Sequence, residues 1–323
     1  HHAVFHYYSF PFYHYITGVT LDRYFYDPKV SFETQLQVIE QLERCANLQP
    51  DVGPVAECSA LGGQVCFDKE GFISIRPAGI ETLEDIADLR PGDPWGDNYM
   101  RTALESLQYM LENVPNGIRV NPPICMGPFT IAAQLRGIGD FCADTLEDPE
   151  FVEALLEITT ETCINYIAAC EKLFGAPLHH ILLCDDISAF LSVAGYREWV
   201  LPTYRRVMAA FPQTQFWLHN DAKAQHLAEA IAEAGFAAWQ YAPSIPTDTL
   251  REKTGGKLAL LGGLSPISMQ SLTPQEAYDV SMETLKSFAG DTRCVLGVGG
   301  SVNQIPIPNL LAMLRAADDF SIG

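Results

Sequence analysis

The segment Trp217-Leu218-His219-Asn220-Asp221 carries the sharpest chemical signal in this chain. If it ends a β-strand, residues two apart point to the same side, so His219 and Asp221 can converge on one point. An imidazole and a carboxylate so placed form half a site for zinc or another divalent ion. The pair has a structural use as well, with His219 as a hydrogen-bonded polar residue and Asp221 as the cap of the next helix. A second acidic pair, Asp185-Asp186, follows the apolar run Ile181-Leu182-Leu183-Cys184. One aspartate can serve as acid, base, metal ligand or substrate anchor while the other faces the loop backbone; loop capping is the competing use.

Other polar or flexible residues stand at the ends of apolar runs in the same manner. They are Glu57, the run Met126-Gly127-Pro128-Phe129-Thr130, Gln240-Tyr241, Gly262-Gly263 and Gly297 to Ser301. Met126, Phe129, Gln240 and Tyr241 are the expected substrate contacts. Gly297-Val298-Gly299-Gly300 has neither dinucleotide nor P-loop spacing, so close backbone approach to a ligand or a neighbouring strand is its expected use. The first stretch of the chain is dense in aromatics: Phe5, Tyr7, Tyr8, Phe10, Phe12, Tyr13 and Tyr15. It reads either as core or barrel plug, or as a wall for a flat apolar substrate.

The elements that must position these residues are short apolar strands alternating with longer helices. Expected strands are Gly117–Cys125, His179–Leu183, Gln215–Leu218, Ala237–Tyr241, Lys257–Leu261 and Arg293–Leu296, with Asp51–Ala56 as a weaker first one. Asp148 and Pro149 open a helix that Gly175 closes. Thr273, Pro274 and Glu276 form a capping box. A helix from Ala222 to Ala234 ends at Gly235, and Pro308 opens the last helix, Asn309 to Asp318. This alternation calls for a parallel sheet with right-handed crossovers. Seven or eight such units over 323 residues suit a single (β/α)₈ barrel, with residues 1–50 as an aromatic extension or lid. In such a barrel the strand C-termini share one face, so the polar strand ends should gather at one mouth.

Bulk properties narrow the function. There are 40 Asp and Glu against 20 Lys and Arg, a net charge of −20. Nucleic acid and anionic membranes bind through basic clusters, so neither is an expected partner. No apolar run approaches the ~18 residues that cross a bilayer, and no basic, apolar leader opens the chain. The nine cysteines are scattered and lie mostly in apolar segments. Reduced, buried thiols in the cytoplasm are therefore expected.

Several of these motifs, in this order, resemble the uroporphyrinogen decarboxylase superfamily. Met126-Gly127-Pro128-Phe129-Thr130-Ile131-Ala132, with Gly137 beyond it, is similar to that family's Gly-Pro-Phe-Thr-Leu-Ala segment. Asp185-Asp186 with Leu201-Pro202 resembles its strand-end aspartate and following helix. Leu260 to Pro266 resembles its Gly-Asn-x-x-Pro turn, and Pro306 to Met313 its closing helix start. The likeness runs over roughly residues 30 to 320. It implies a barrel and either of two activities. True decarboxylases carry an N-terminal arginine-rich motif that grips a polycarboxylate, whereas the first 50 residues here hold only Arg23 and Arg44. The methyltransferase branch moves methyl groups to or from a corrinoid protein with zinc held by His-x-Cys and a distant cysteine. His219 stands at that histidine, Asp221 replaces the motif cysteine, and a glycine near Gly299 takes the distant cysteine's place.

The resemblance thus implies a corrinoid-dependent methyltransferase acting on a small methyl donor, with zinc on His219 and Asp221 and Glu57 as third ligand. Asp185, Asp186 and His219 are the expected catalytic residues. A harder His/Asp site favours an oxygen ligand, hence demethylation of a methyl ether. The alternatives are a cofactor-free carboxy-lyase and a non-catalytic ligand-binding barrel. A homodimer is an assembly open to either enzyme.

Overall fold

The computed structural model describes residues 4–5, 8–42, 47–67, 73–288 and 291–320. Tyr7 and Arg44 lie outside the described residues. The strands are β1 (Val4–Phe5), β2 (Asn47–Leu48), β3 (Gln64–Phe67), β4 (Ile73–Arg76), β5 (Arg119–Val120), β6 (Cys125–Met126), β7 (His180–Cys184), β8 (Gln215–Asn220), β9 (Ala238–Tyr241), β10 (Ala259–Leu264) and β11 (Cys294–Val298). Seven of them form one sheet in the order β1-β11-β10-β9-β8-β7-β6, every pair of it parallel. β2 pairs with β5, also in parallel, and β5 runs on into β6. The strands therefore follow chain order around a ring, from β1 through β2, β5–β6 and β7 to β11 and back to β1. This is the (β/α)₈ barrel. The antiparallel β3–β4 hairpin stands outside the ring.

Two strand expectations need correction. Gly117–Cys125 is not one strand but the two short strands β5 and β6. Pro122-Pro123 between them has no N–H to offer a ladder. Asp51–Ala56 is not a strand either; it is a loop leading into the helix Ala56–Ala60. The Asp51 side chain accepts the N–H of Gly53 through Oδ1 (2.8 Å) and folds the chain back on itself. Gly53 takes φ +68°, where glycine is the natural residue. Asp51 Oδ2 accepts the N–H of Phe10 (2.6 Å), tying the chain after β2 to the chain after β1. Among the described residues no ladder joins those two strands, and this carboxylate spans the seam.

Helix signals act locally and agree more closely. The 26-residue helix Pro149–Phe174 begins where the Asp148 side chain receives the N–H of Phe151 and ends at Gly175, φ +68°. Thr273 and Glu276 make the reciprocal capping box of Pro274–Ser287. The helix expected from Ala222 starts only at Ala228, after a single tight turn at Gln225–Leu227.

The aromatic N-terminal segment contributes a strand to the barrel and residues to its core. β1 pairs with β11. Phe10, Phe12, Tyr13, Tyr24 and Phe25 are buried with Leu310 and Met313 of the last helix, Ile307–Asp319. Burial of each such side chain is worth roughly 1.5–3 kcal/mol, so the two ends of the chain are joined by their apolar surface. The eight described cysteines are all free, five of them buried. Among the described residues no helix is long and apolar enough to cross a membrane.

Candidate active site at the barrel mouth

β7 and β8 lie in parallel register with Cys184 opposite His219, and the pairing continues as Asp185 donates its N–H to the His219 carbonyl (3.0 Å). Strand alternation then sorts the side chains. Cys184, Asp186 and His219 border an interior cavity, while Asp185 faces the surrounding helices. One ligand-capable atom from each of Asp186, His219 and Asp221 lies within 4.8 Å of the other two. Among the described residues this is the one such group of three. His219 Nε2 is 3.7 Å from Asp186 Oδ2, and Asp186 Oδ1 accepts the N–H of Asp221 (2.9 Å). Burial raises the Asp221 carboxyl; adjacent His219 pulls it down, and Asp186 pushes it up. Gly300, beyond the end of β11, makes room for this carboxylate. A Cβ there would stand 2.9 Å from Asp221 Oδ2.

Glu57 is not brought into this group. It sits on the helix Ala56–Ala60, is 1% exposed, and Oε1 accepts the N–H of Met126 (2.8 Å). Its burial drives the carboxyl up to about 7 against that hydrogen bond. The third member of the group beside His219 and Asp221 is Asp186. Asp185, also expected at the site, has no exposure. Its carboxylate accepts from Thr130 Oγ1 (2.5 Å) and from the Tyr204 hydroxyl, and burial raises it to about 6. It anchors the end of β7 to two helices.

The cavity encloses about 290 Å³. Its walls are mostly apolar, with Phe10, Phe25, Ile73, Ile124 and Met126 around Asp186 and His219. Among the described residues that line it, none is Lys or Arg. Of the four residues expected to contact substrate, Met126 lines this cavity and the other three do not. Phe129 has no exposure and packs against Phe141 at 5.1 Å between ring centroids. Tyr241 faces outward, its hydroxyl 2.6 Å from Thr247 Oγ1. Gln240 is buried behind His219, with Oε1 2.7 Å from Nδ1. The sequence reading passed over Asp51, which also lines the cavity and whose burial raises its carboxyl to about 6. The signal was the Asp-x-Gly-Pro order of 51–54, a turn rather than a strand.

The donor set fits a divalent ion. Two carboxylates and an imidazole converge, and the cavity supplies an open side, as catalytic zinc requires. No thiol joins the group among the described residues. Cys184 borders the cavity, but burial pushes its thiol well above the ordinary range, and Cys294 Sγ instead receives a hydrogen bond from Arg251 Nη2 (3.0 Å).

Comparison with known proteins places the chain. It is 28% identical over 312 residues to a methylated-thiol–coenzyme M methyltransferase of Methanosarcina mazei, covering 91% of this chain and 80% of that one. It is 22% identical over 233 residues to the methylcobamide:CoM methyltransferase MtaA of Methanosarcina barkeri, covering 71% and 67%. A uroporphyrinogen decarboxylase of Rhodococcus opacus matches at 32% over 146 residues, 43% of this chain and 40% of that one. Among solved structures, a methyltransferase from Methanosarcina mazei superposes with TM-score 0.80 at 18% identity, covering 98% of this chain and 94% of that one. The family described as uroporphyrinogen decarboxylase (URO-D) matches residues 11–320, so this protein belongs to that family.

Proposed function

We propose that this protein is a corrinoid-dependent methyltransferase that demethylates a small methyl ether, with a zinc ion held by Asp186, His219 and Asp221. The observation that carries the reading is the convergence of those three side chains, of which Asp186 and His219 line an apolar cavity. Relatives over most of the chain are named as methyltransferases, which supports the reaction class. Among the described lining residues there is no Lys or Arg to grip a polycarboxylate substrate, which argues against one. With one nitrogen and two oxygen donors, the set is harder than a thiolate site and suits an oxygen leaving group over a sulfur one. A zinc ion bound there supplies Lewis acidity to that oxygen.

The chain's own residues do the rest. Phe10, Phe25, Ile124 and Met126 hold the body of the methyl donor and keep water from the methyl carbon. Glu57 fixes the backbone at Met126. The open mouth admits the corrinoid, carried on a partner protein. The test is metal content after purification without chelator, then methyl transfer to reduced cobalamin from an aryl methyl ether and from a methylated thiol. About one zinc per chain is expected for the wild type, and less than about a tenth for His219→Ala, because one of the three ligands is gone. Faster turnover of the thiol than of the ether would overturn the oxygen preference. Coproporphyrinogen formation from uroporphyrinogen would overturn the methyltransferase reading.

A further inference from the structure

Gln240 stands directly across from His219 in the β8–β9 register and has no exposure. Every polar atom of its amide is engaged. Nε2 donates to the carbonyls of Val298 and Gly300, both at 2.8 Å, and Oε1 lies 2.7 Å from His219 Nδ1. An amide NH₂ has two hydrogens, and both are used. Turned over, the group would set its oxygen against two carbonyl oxygens, so the orientation is dictated by the network. Oε1 is therefore an acceptor, and the His219 nitrogen facing it must carry a proton.

We propose that Gln240 is the positioning residue that holds His219 in the tautomer protonated at Nδ1, leaving the lone pair on Nε2. That nitrogen is the one 3.7 Å from Asp186 Oδ2, on the side where the three groups meet. The same amide holds the carbonyl of Gly300, the glycine whose missing Cβ leaves space for Asp221 Oδ2. One buried side chain on β9 thus sets two members of the group: His219 by a direct bond and Asp221 through the backbone that packs on it. Histidines that ligate metals commonly lean on a carboxylate or a backbone carbonyl. A neutral carboxamide does the same work here without adding charge to a group that already holds two carboxylates.

This inference rests on the zinc reading only for its effect on affinity, and the experiment separates the two. The tautomer is read by long-range ¹H–¹⁵N correlation on metal-free protein carrying ¹⁵N-histidine, with His219 assigned by its loss in His219→Ala. Zinc affinity is measured separately, by competition with a chromophoric chelator. The wild-type ring should be protonated at Nδ1. Gln240→Met removes the acceptor; the ring should lose its Nδ1–H preference and zinc binding should weaken about 10–100-fold. Gln240→Glu keeps an oxygen acceptor and loses both amide donors, so it should keep the ring protonated at Nδ1 while its zinc affinity stays below that of the wild type, because the Gly300 carbonyl loses its donor. If Gln240 served only to tie Val298 and Gly300, Glu would fare as badly as Met, and that result overturns the proposal. So does a wild-type ring protonated at Nε2. A wild-type ring protonated at Nδ1 in a protein that binds no zinc supports the tautomer and overturns the metal site instead.

Discussion

Asp185 and Asp186 share a peptide bond and have opposite fates. Asp185 has no exposure and spends its carboxylate on Thr130 and Tyr204. Asp186 keeps its side chain 40% exposed beside His219 and lines the cavity. Asp185 directly follows β7 and turns to the helices, whereas Asp186 stands where the chain has left the strand for helical backbone (φ −73°, ψ −29°) and turns to the cavity. A displaced pKa does not by itself mark a site. Asp185 and Glu57 are both raised by burial, and both are bound into the scaffold. Asp186, by contrast, faces the cavity and stays partly solvated.

The largest test of this division is Asp185→Ala. It strands the Thr130 and Tyr204 hydroxyls in a sealed region, at about 1–3 kcal/mol for each group. Stability measured by urea unfolding should fall by about 3 kcal/mol, and a change below about 1 kcal/mol would dissolve the contrast. Asp186→Ala should do the reverse, leaving stability within about 0.5 kcal/mol as a half-exposed position allows. Its zinc affinity should fall by more than about 100-fold, beyond the range of residues that only support a ligand.

Glu57→Gln sharpens the scaffold side. Glu57 holds its proton more tightly folded (up to about 7) than its ordinary 4.5. Its contribution is therefore complete below about 4.5 and is lost as the pH rises through about 7. Asp51 and Asp185 share that sign. His180, lowered to about 4 by burial and by neighbouring His179, opposes it. Wild-type urea midpoints should thus decline from about pH 5 to about pH 8. Glu57→Gln should be more stable at the upper end by about 1–3 kcal/mol, with a shallower slope. A steeper slope in the variant would show that Glu57 is ionised and stabilising.

The smallest expected effect is that of Gly300→Ala. A residue with a Cβ is strained at φ +135°, by about 1 kcal/mol. The new methyl also presses on Asp221, so zinc binding should weaken about tenfold, within the range for residues that orient ligands. Unchanged zinc affinity would mean that Asp221 does not need its observed position.

Sequence alone settled what depends on near neighbours along the chain. The Asp148–Gly175 helix and the Thr273 capping box are written in a few consecutive residues, because a helix end is satisfied by side chains within one turn. Strands β7 to β11 showed as apolar runs. The two-residue spacing of His219 and Asp221 set them on one side, as alternation requires. The motif order pointed to the family that the match over residues 11–320 then showed.

Only the tertiary structure decided which face of each strand turns inward and what stands across from it. That choice put Asp186 rather than Asp185 or Glu57 beside His219, turned Tyr241 out to the helices, and brought Gln240 behind the imidazole from 21 residues away. It also made Val4–Phe5 a barrel strand, though two residues are too few to carry an alternation pattern. Inter-strand register and ring closure are set by the summed packing of a core spread over the whole chain. Local spacing therefore named the chemical groups, and the closed barrel chose which of them meet.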